Sequence, residues 1–261
     1  MLRLSFCSLL LTSLFILTLS SCSSYKKIPY FKDLQNAGIE SQNITNFSPL
    51  TVALGDVLAI NVTSRNPESS AVFNYNLNHV NGSGTVSPDN PVVGYLVDDK
   101  GNIYLPYIGA MRVAGLNTSE IRDRMTAKLL TIYKDPVVNI RVINFKVSII
   151  GDVLRPDVYT LQNEHTTLTQ ALSLAGDLNI TAKRTNILLV RNENGKRIFV
   201  RMDLTSKKLF ESPYYYLKNN DEIYVEPDRT KYATVDRGYR TATLLLSGLS
   251  IIAIVLSNLY R

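Results

Sequence analysis

Between Thr241 and Tyr260 the chain carries no charged residue and no proline, and its centre reads Leu244-Leu245-Leu246-Ser247-Gly248-Leu249-Ser250-Ile251-Ile252-Ala253-Ile254-Val255-Leu256. A helix needs about 20 mostly apolar residues to cross a bilayer. Backbone polar groups inside lipid must also be satisfied within the segment itself. Residues 241–260 are therefore expected to form a transmembrane helix. Arg237 and Arg240 before it, and Arg261 after it, are placed to snorkel to the two interfaces. Tyr239 and Tyr260 suit the interfacial aromatic belts.

The polar residues of this segment are not scattered. At about 100° per residue, Thr243, Ser247, Ser250, Ser257 and Asn258 share one face about 100° wide, interrupted by Ile254. Such a face suits packing against other helices through small polar residues, or the lining of a watery interior. The plainer alternative is a single anchor with polar residues placed by chance.

A second apolar stretch, Leu4 to Leu19, follows Arg3 and leads into Leu19-Ser20-Ser21-Cys22. A charged start, an uncharged apolar run and small residues before a cleavage point make a secretory signal. The last four residues resemble the bacterial lipobox, in which the cysteine thiol takes a diacylglycerol. Residues 1–21 are thus read as a lipoprotein signal peptide and Cys22 as the lipid-attachment residue. Cys7 lies inside the leader, so no disulfide is expected afterwards. No acidic run follows Cys22, which favours the periplasmic leaflet of an outer membrane. Lipid at one end and a helix at the other would be redundant for anchoring alone, so the helix is expected to do something more.

Residues 22–49 are polar and aperiodic and read as a lipid-attached tether. The folded part begins at Leu50. Gly55-Asp56 reads as a turn, and Leu58, Ile60 and Val62 alternate as a strand. Arg65 to Pro91, rich in Asn, Ser, Gly and Pro, reads as a long loop or insertion. Gly94 to Gly115 reads as a β-meander with Asp98-Asp99-Lys100-Gly101 at its turn and Pro106 at an edge or bulge. Asn117 and Glu120 have capping-box spacing, and Ile121, Met125, Leu129 and Ile132 give the apolar face of a helix ended by Asp135-Pro136.

Val138, Ile140 and Val142 alternate, and Phe145, Val147 and Ile149 continue one residue out of phase. A one-residue slip turns the hydrophobic set over, so Ile143-Asn144 is read as a bulge or a domain boundary. The next unit is expected to contain the hairpin connection Gly151 to Pro156, with Val158 to Leu161 as its returning strand. A short helix capped by Thr167 and Gln170 and ended by Gly176 comes next. Strands at Ile187–Val190 and Ile198–Met202 flank an Asn192–Gly195 turn. Pro213-Tyr214-Tyr215-Tyr216 and Ile223-Tyr224-Val225 close the unit. Val52 to Ile60 and Leu217 to Val225 form a faint repeat, sharing apolar positions and a central Asp, Asp56 and Asp221. Each Asp is read as a turn residue bonding backbone amides.

These motifs together resemble the outer-membrane polysaccharide export family of Gram-negative capsule and exopolysaccharide systems. Leu54 to Val62, with Gly55 and Asp56, looks like the family's opening motif. Gly101-Asn102-Ile103-Tyr104-Leu105-Pro106-Tyr107-Ile108-Gly109, then Val113 to Leu116 and Glu120, looks like its central motif. Tyr133 to Val138 matches the end of that domain. Gly151-Asp152-Val153, Pro156, Tyr159, Leu161, Ala171-Leu172 and Ala175-Gly176 resemble the soluble-ligand-binding β-grasp domain that follows in the family. The match covers residues 50–227. One glycine usually found after Gly176 is Asp177 here, and one β-grasp repeat is found where two are common.

The resemblance implies an α+β fold. A polysaccharide export α/β domain (50–144) would be followed by a β-grasp domain (145–227), a linker (228–240) and the transmembrane helix. It implies a homo-oligomeric ring in the outer membrane, lipid-anchored, with its soluble domains in the periplasm. The terminal helices of the ring would enclose a polysaccharide conduit. An inner-membrane co-polymerase, often a tyrosine autokinase, would be the partner. A scaffolding or glycan-binding lipoprotein that forms no pore is the alternative.

Signs of catalysis are sparse. His79 and His165 are far apart, and no metal-ligand spacing, P-loop, dinucleotide fingerprint or nucleophile elbow occurs. Neither an enzymatic activity, a cofactor nor a metal is expected. Lys and Arg outnumber Asp and Glu 28 to 22, but they are dispersed and form no nucleic-acid stripe. The Tyr214-Tyr215-Tyr216 run could stack on sugar rings, although strand packing is the simpler role.

Overall fold

The computed structural model describes residues 28–35, 38–74, 94–193, 195–232 and 237–259. The expectations for Cys22, the leader, His79, Asn194 and Tyr260 lie outside these residues.

Alternation of apolar and polar residues builds the first sheet. Strand β1 (Val57–Thr63) is its centre, flanked antiparallel by β2 (Tyr95–Leu96) and β5 (Val137–Val142). Leu58, Ile60 and Val62 turn to one face, which is buried. After β1 come one helical turn, α1 (Pro67–Ser70), and a 3-10 turn that delivers Phe73 to the core. A hairpin follows, β3 (Asn102–Leu105) with β4 (Gly109–Arg112). Helix α2 (Thr118–Leu129) then buries Ile121, Met125 and Leu129. Its start is a reciprocal cap: Asn117 Oδ1 accepts from Glu120 N–H, and Glu120 Oε2 accepts from Asn117 N–H, both at 2.9 Å. Such a cap contributes about 1 kcal/mol.

The second sheet has the order β7-β6-β10-β8-β9. Its strands are β6 (Lys146–Gly151), β7 (Asp157–Thr160), β8 (Ala182–Glu193), β9 (Lys196–Met202) and β10 (Asp221–Pro227). Only β6 and β10 pair in parallel, and they are the first and last strands of the unit. Parallel pairing requires a crossover, supplied by everything between them. Helix α3 (Leu168–Leu174) lies in that crossover and buries Leu168, Ala171 and Leu172. Its capping box pairs Thr167 with Gln170. Gly176 (φ 79°) and Asp177 (φ 71°) end it in left-handed conformation. The Asp177 amide bonds back to Leu172.

The phase slip at Ile143-Asn144 is a change of sheet, not a bulge within a strand. Asn144 closes the first unit, accepting from Val57 N–H (2.8 Å) and donating to the Gly55 carbonyl (3.0 Å).

The structure alters several expectations. The β-meander is broken, because β2 pairs with β1 and not with β3. Pro106 sits in the β3–β4 turn, where Ile108 N–H reaches the Pro106 carbonyl across a left-handed Tyr107. Ile132 lies past the end of α2 and is exposed. Tyr214 to Tyr216 form a turn after the 3-10 helix Lys207–Glu211, not a strand, although Tyr214 and Tyr215 do pack on the core. The Arg65–Pro91 loop begins with ordered structure, since Phe73 is fully buried.

The described part of the 22–49 tether is also no free chain. Phe31 and Lys32 donate backbone bonds to Leu204 and Thr205, and the Phe31 ring stacks on Phe210 at 4.9 Å. Asp33 accepts from Lys207 N–H and Ser206 Oγ, and these bonds hold its carboxyl below the usual range against the opposing effect of desolvation. Farther along, Asn46 donates to the Phe210 and Ser212 carbonyls, and Phe47 packs edge-on to Tyr216. The segment crosses the second unit as a strap.

Candidate functional site

The polar-faced helix is the first element to place. Helix α4 (Arg237–Leu259) holds a 19-residue apolar span, Thr241–Leu259, with mean hydropathy 2.1. No apolar side chain along that span is buried by the described residues. Thr243, Ser247, Ser250, Ser257 and Asn258 lie within the helix, as the spacing required. Ser247 donates to the Leu244 carbonyl (2.9 Å) and Ser250 to the Ser247 carbonyl (2.7 Å). Two of the hydroxyls on the stripe are therefore satisfied by their own helix and still offer lone pairs outward.

The approach to α4 is fixed to the second unit. Asp228 N–H bonds the Thr181 carbonyl at 2.7 Å. In the 3-10 turn Arg229–Tyr232, Lys231 Nζ reaches Asp152 Oδ1 at 2.6 Å. Asp152 is fully buried and also accepts from Thr181 Oγ1 (2.6 Å) and Asn179 Nδ2 (2.9 Å). Burial opposes its ionisation, but the bonds from Lys231, Thr181 and Asn179 outweigh it and hold the carboxyl below the usual range. Gly151 just before it has φ 99°, and a Cβ there would lie 2.1 Å from the Val225 carbonyl oxygen. That glycine is what lets β6 lie against β10 while Asp152 turns inward. Pro156 occupies the same β6–β7 connection and is exposed.

The repeat pair occupies matching positions. Asp56 and Asp221 are both fully buried, each following a left-handed residue, Gly55 (φ 81°) and Asn220 (φ 63°). Asp56 Oδ2 accepts from Ala53 N–H, and Asp221 Oδ2 accepts from Lys218 N–H, each at 2.8 Å and three residues back. The turn role is as expected. Their surroundings then diverge. Asp221 takes a bidentate bond from Arg191, itself buried, at 2.9 and 2.6 Å. Asp56 has no cation partner among the described residues and instead receives Asn219 Nδ2 from the second unit at 2.6 Å. Burial therefore pushes the Asp56 carboxyl up. Asn219 Oδ1 accepts from Lys146 N–H as well (3.0 Å), so one asparagine joins both units at the start of β6. Beside this joint lies a cleft of about 320 Å³ lined by Leu54, Gly115, Glu193, Lys218 and Asn219.

Gly101 (φ 79°) serves the Asp98 turn, in which Asp98 Oδ1 accepts from the Lys100 and Asn102 amides. Gly109 (φ 74°) opens β4. These motif glycines are backbone devices, and none lines the apolar helix.

Sequence reasoning missed a polar cluster at Tyr30. Its hydroxyl donates to Asp177, and the Arg184 guanidinium lies 5.4 Å from its ring centre. Burial, then Asp177, raises the Tyr30 hydroxyl far above the ordinary phenol range. A groove of about 470 Å³ runs beside it, lined by Phe31, Thr169, Leu172, Ser173 and Asp177. The departure Asp177 was the only hint in the sequence. His165 stands against Phe47, and no group of three His, Cys, Asp or Glu suited to a metal occurs among the described residues.

Comparison with known proteins bears on residues 46–143, which match the family described as polysaccharide biosynthesis/export protein. The chain is 26% identical over 208 residues to the EPS I polysaccharide export outer membrane protein EpsA of Ralstonia solanacearum, covering 78% of this chain and 55% of that protein. It is 30% identical over 190 residues to the protein of the same name from Ralstonia nicotianae, covering 69% and 48%. The chain thus spans about half the length of the curated relatives it matches.

Proposed function

Residues 46–143 place this chain in the polysaccharide biosynthesis/export family, and from that premise we propose that it is a subunit of an outer-membrane conduit for capsular polysaccharide or exopolysaccharide. The polymer passes from periplasm to surface without being cleaved. Both relatives carry polysaccharide export and outer membrane in their names, which supports the substrate class and the location.

One observation carries the reading of a conduit. Helix α4 is apolar enough to enter a bilayer, is left exposed by the described residues, and gathers Thr243, Ser247, Ser250, Ser257 and Asn258 on one stripe. A ring of such helices turns the stripe inward, where hydroxyl and amide groups suit a hydrated sugar polymer, and turns the leucines and isoleucines to lipid. The second unit is read as the β-grasp domain, on the strength of its hairpin, helix and parallel first and last strands. Lipid on Cys22 and the pinned turn at Lys231 hold that unit near the membrane. An inner-membrane co-polymerase or tyrosine autokinase supplies polymer from below.

Imaging the detergent-extracted, lipidated protein by single-particle electron microscopy tests this. A ring whose channel is walled by residues 241–259 is the expected result. Helices splayed into detergent, or single particles, would refute the conduit. A second reading, a non-pore scaffold that docks the synthesis complex, draws on the Ser247 and Ser250 bonds. Hydroxyls satisfied by their own helix are compatible with a helix surrounded by lipid.

A further inference from the structure

Arg184 is a buried cation, 5% exposed, with no direct ion pair among the described residues. Its Nη1 and Nη2 donate at 3.2 and 3.3 Å to the carbonyls of Ala182 and Leu178, and its Nε–H has no partner. The Tyr30 ring covers one face of the guanidinium. A buried charge held by two long bonds to neutral carbonyls and by Tyr30, whose hydroxyl is itself given to Asp177, is incompletely compensated. An orphaned buried N–H adds to that cost. The other buried arginine, Arg191, has its carboxylate, so the fold does provide counter-ions elsewhere.

Arg184 also lines a small pocket of about 120 Å³, together with Ile28, Thr181, Lys183, Thr185 and Thr230 among others. That is well below the roughly 300 Å³ at which drug-sized ligands begin to fit, and it suits one compact oxyanion. Thr185 and Thr230 bring hydroxyls to the wall, the Thr181 hydroxyl being given to Asp152. Lys183 brings a second cation, shared with Glu226. Asp228 lines the pocket too, its Oδ1 accepting from Thr230 N–H at 3.3 Å. Its charge disfavours a dianion and selects a singly charged group.

We propose that this pocket binds a singly charged phosphate group, with the Arg184 guanidinium as its counter-ion. Two sources share that chemistry, a lipid headgroup and free phosphate. The position favours the headgroup. Ile28 lies six residues after Cys22, within about 20 Å of it along an extended chain. Thr230 lies seven residues before the start of α4. The pocket therefore sits where the two expected membrane attachments leave the second unit. This choice of source rests on the membrane reading proposed above, whereas the oxyanion site does not.

The test uses the full chain in detergent, labelled with ¹⁵N-arginine. Inorganic phosphate is titrated while the Arg Nε–H resonances are followed, with the Arg184 signal assigned by its loss in R184Q. Saturable movement of that signal is expected. Affinity should fall by about tenfold or more in R184Q, as for loss of a hydrogen bond to a charged group, followed by thermal shift. T185V/T230V keeps the guanidinium, so it remains informative if R184Q folds poorly; weaker binding is expected there too. Dihexanoyl phosphatidylglycerol, whose phosphodiester carries a single charge, is titrated in parallel. Tighter binding than inorganic phosphate assigns the site to a lipid headgroup, and equal binding assigns it to free phosphate. An Arg184 signal unmoved by either probe at millimolar concentration would overturn the proposal. So would unchanged affinity in both variants. Neither result depends on whether the chain forms a conduit.

Discussion

Removing the Asp221 carboxylate alone should destabilise the second unit more than almost any other single truncation. Asp221→Ala leaves the Arg191 guanidinium, 3% exposed, without its two bonds, and strips the Lys218 amide of its acceptor. Breaking a buried pair from one side costs about 3–5 kcal/mol, because the remaining charge stays desolvated. For a unit of this size the midpoint of thermal unfolding should fall by more than about 10 °C. Arg191→Met should cost a similar amount, leaving a buried carboxylate and an unpaired Tyr216 carbonyl. The double variant Arg191→Met/Asp221→Leu removes both charges. It should recover most of the loss, keeping only about 1–2 kcal/mol for the Lys218 amide and the Tyr216 carbonyl. The assay is thermal unfolding of the detergent-extracted chain, with hydrogen exchange at β8 and β10 to locate the change. A double variant as unstable as the sum of the singles would refute the reasoning, since it would mean that the two charges do not compensate one another.

Gly151→Ala should cost far more than Gly55→Ala. Its Cβ would meet the Val225 carbonyl oxygen at 2.1 Å and force β6 from β10, whereas Gly55 has nothing within 4 Å and pays only for its left-handed φ. Exchange protection of β10 should distinguish the two variants. Asp152→Asn should loosen the Lys231 turn and speed tryptic cleavage after Arg229 and Lys231, whereas Lys231→Ala should speed cleavage after Arg229 alone, because it removes the second site. The Asp56 carboxyl is raised above 3.8 by burial, so the folded state binds its proton more readily than the unfolded state does. Its contribution to stability is thus lost as pH rises from about 3.8 through the folded value; stability measured across acidic pH in wild type minus Asp56→Asn should carry that downward slope.

Much of the secondary structure could be read from local rules. Both capping boxes, the alternation of β1 and the turn role of the paired aspartates depend on residues within a few positions of each other, and those contacts formed as the spacing required. The strap was invisible because its partners are remote: Tyr30 meets Asp177 and Asn46 meets Ser212. No period marks a segment whose hydrogen bonds go to one edge of another unit. Phe73 was hidden by the polar residues around it. Strand β8 misled differently. A charge in a strand ordinarily signals the solvent face, yet Arg184 and Arg191 are both buried, and the parity shifts near Thr185-Asn186. The stripe on α4 was legible because a helix needs only its own sequence to define a face, but what that face meets depends on other helices.

The strap gives the molecule an unequal load path. Lys32 is tied to Thr205, Asp228 is tied to Thr181, and both ties belong to the second unit. Tension between lipid and helix would travel through that unit alone, across the β6–β10 pairing at its centre. The first unit, inserted between strap and β6, bears none of it. It is coupled by the Asp56–Asn219 and Thr118–Glu164 bonds and by packing. Were both attachments in place, the first unit would keep its position through that joint and the shared core without carrying the load between them.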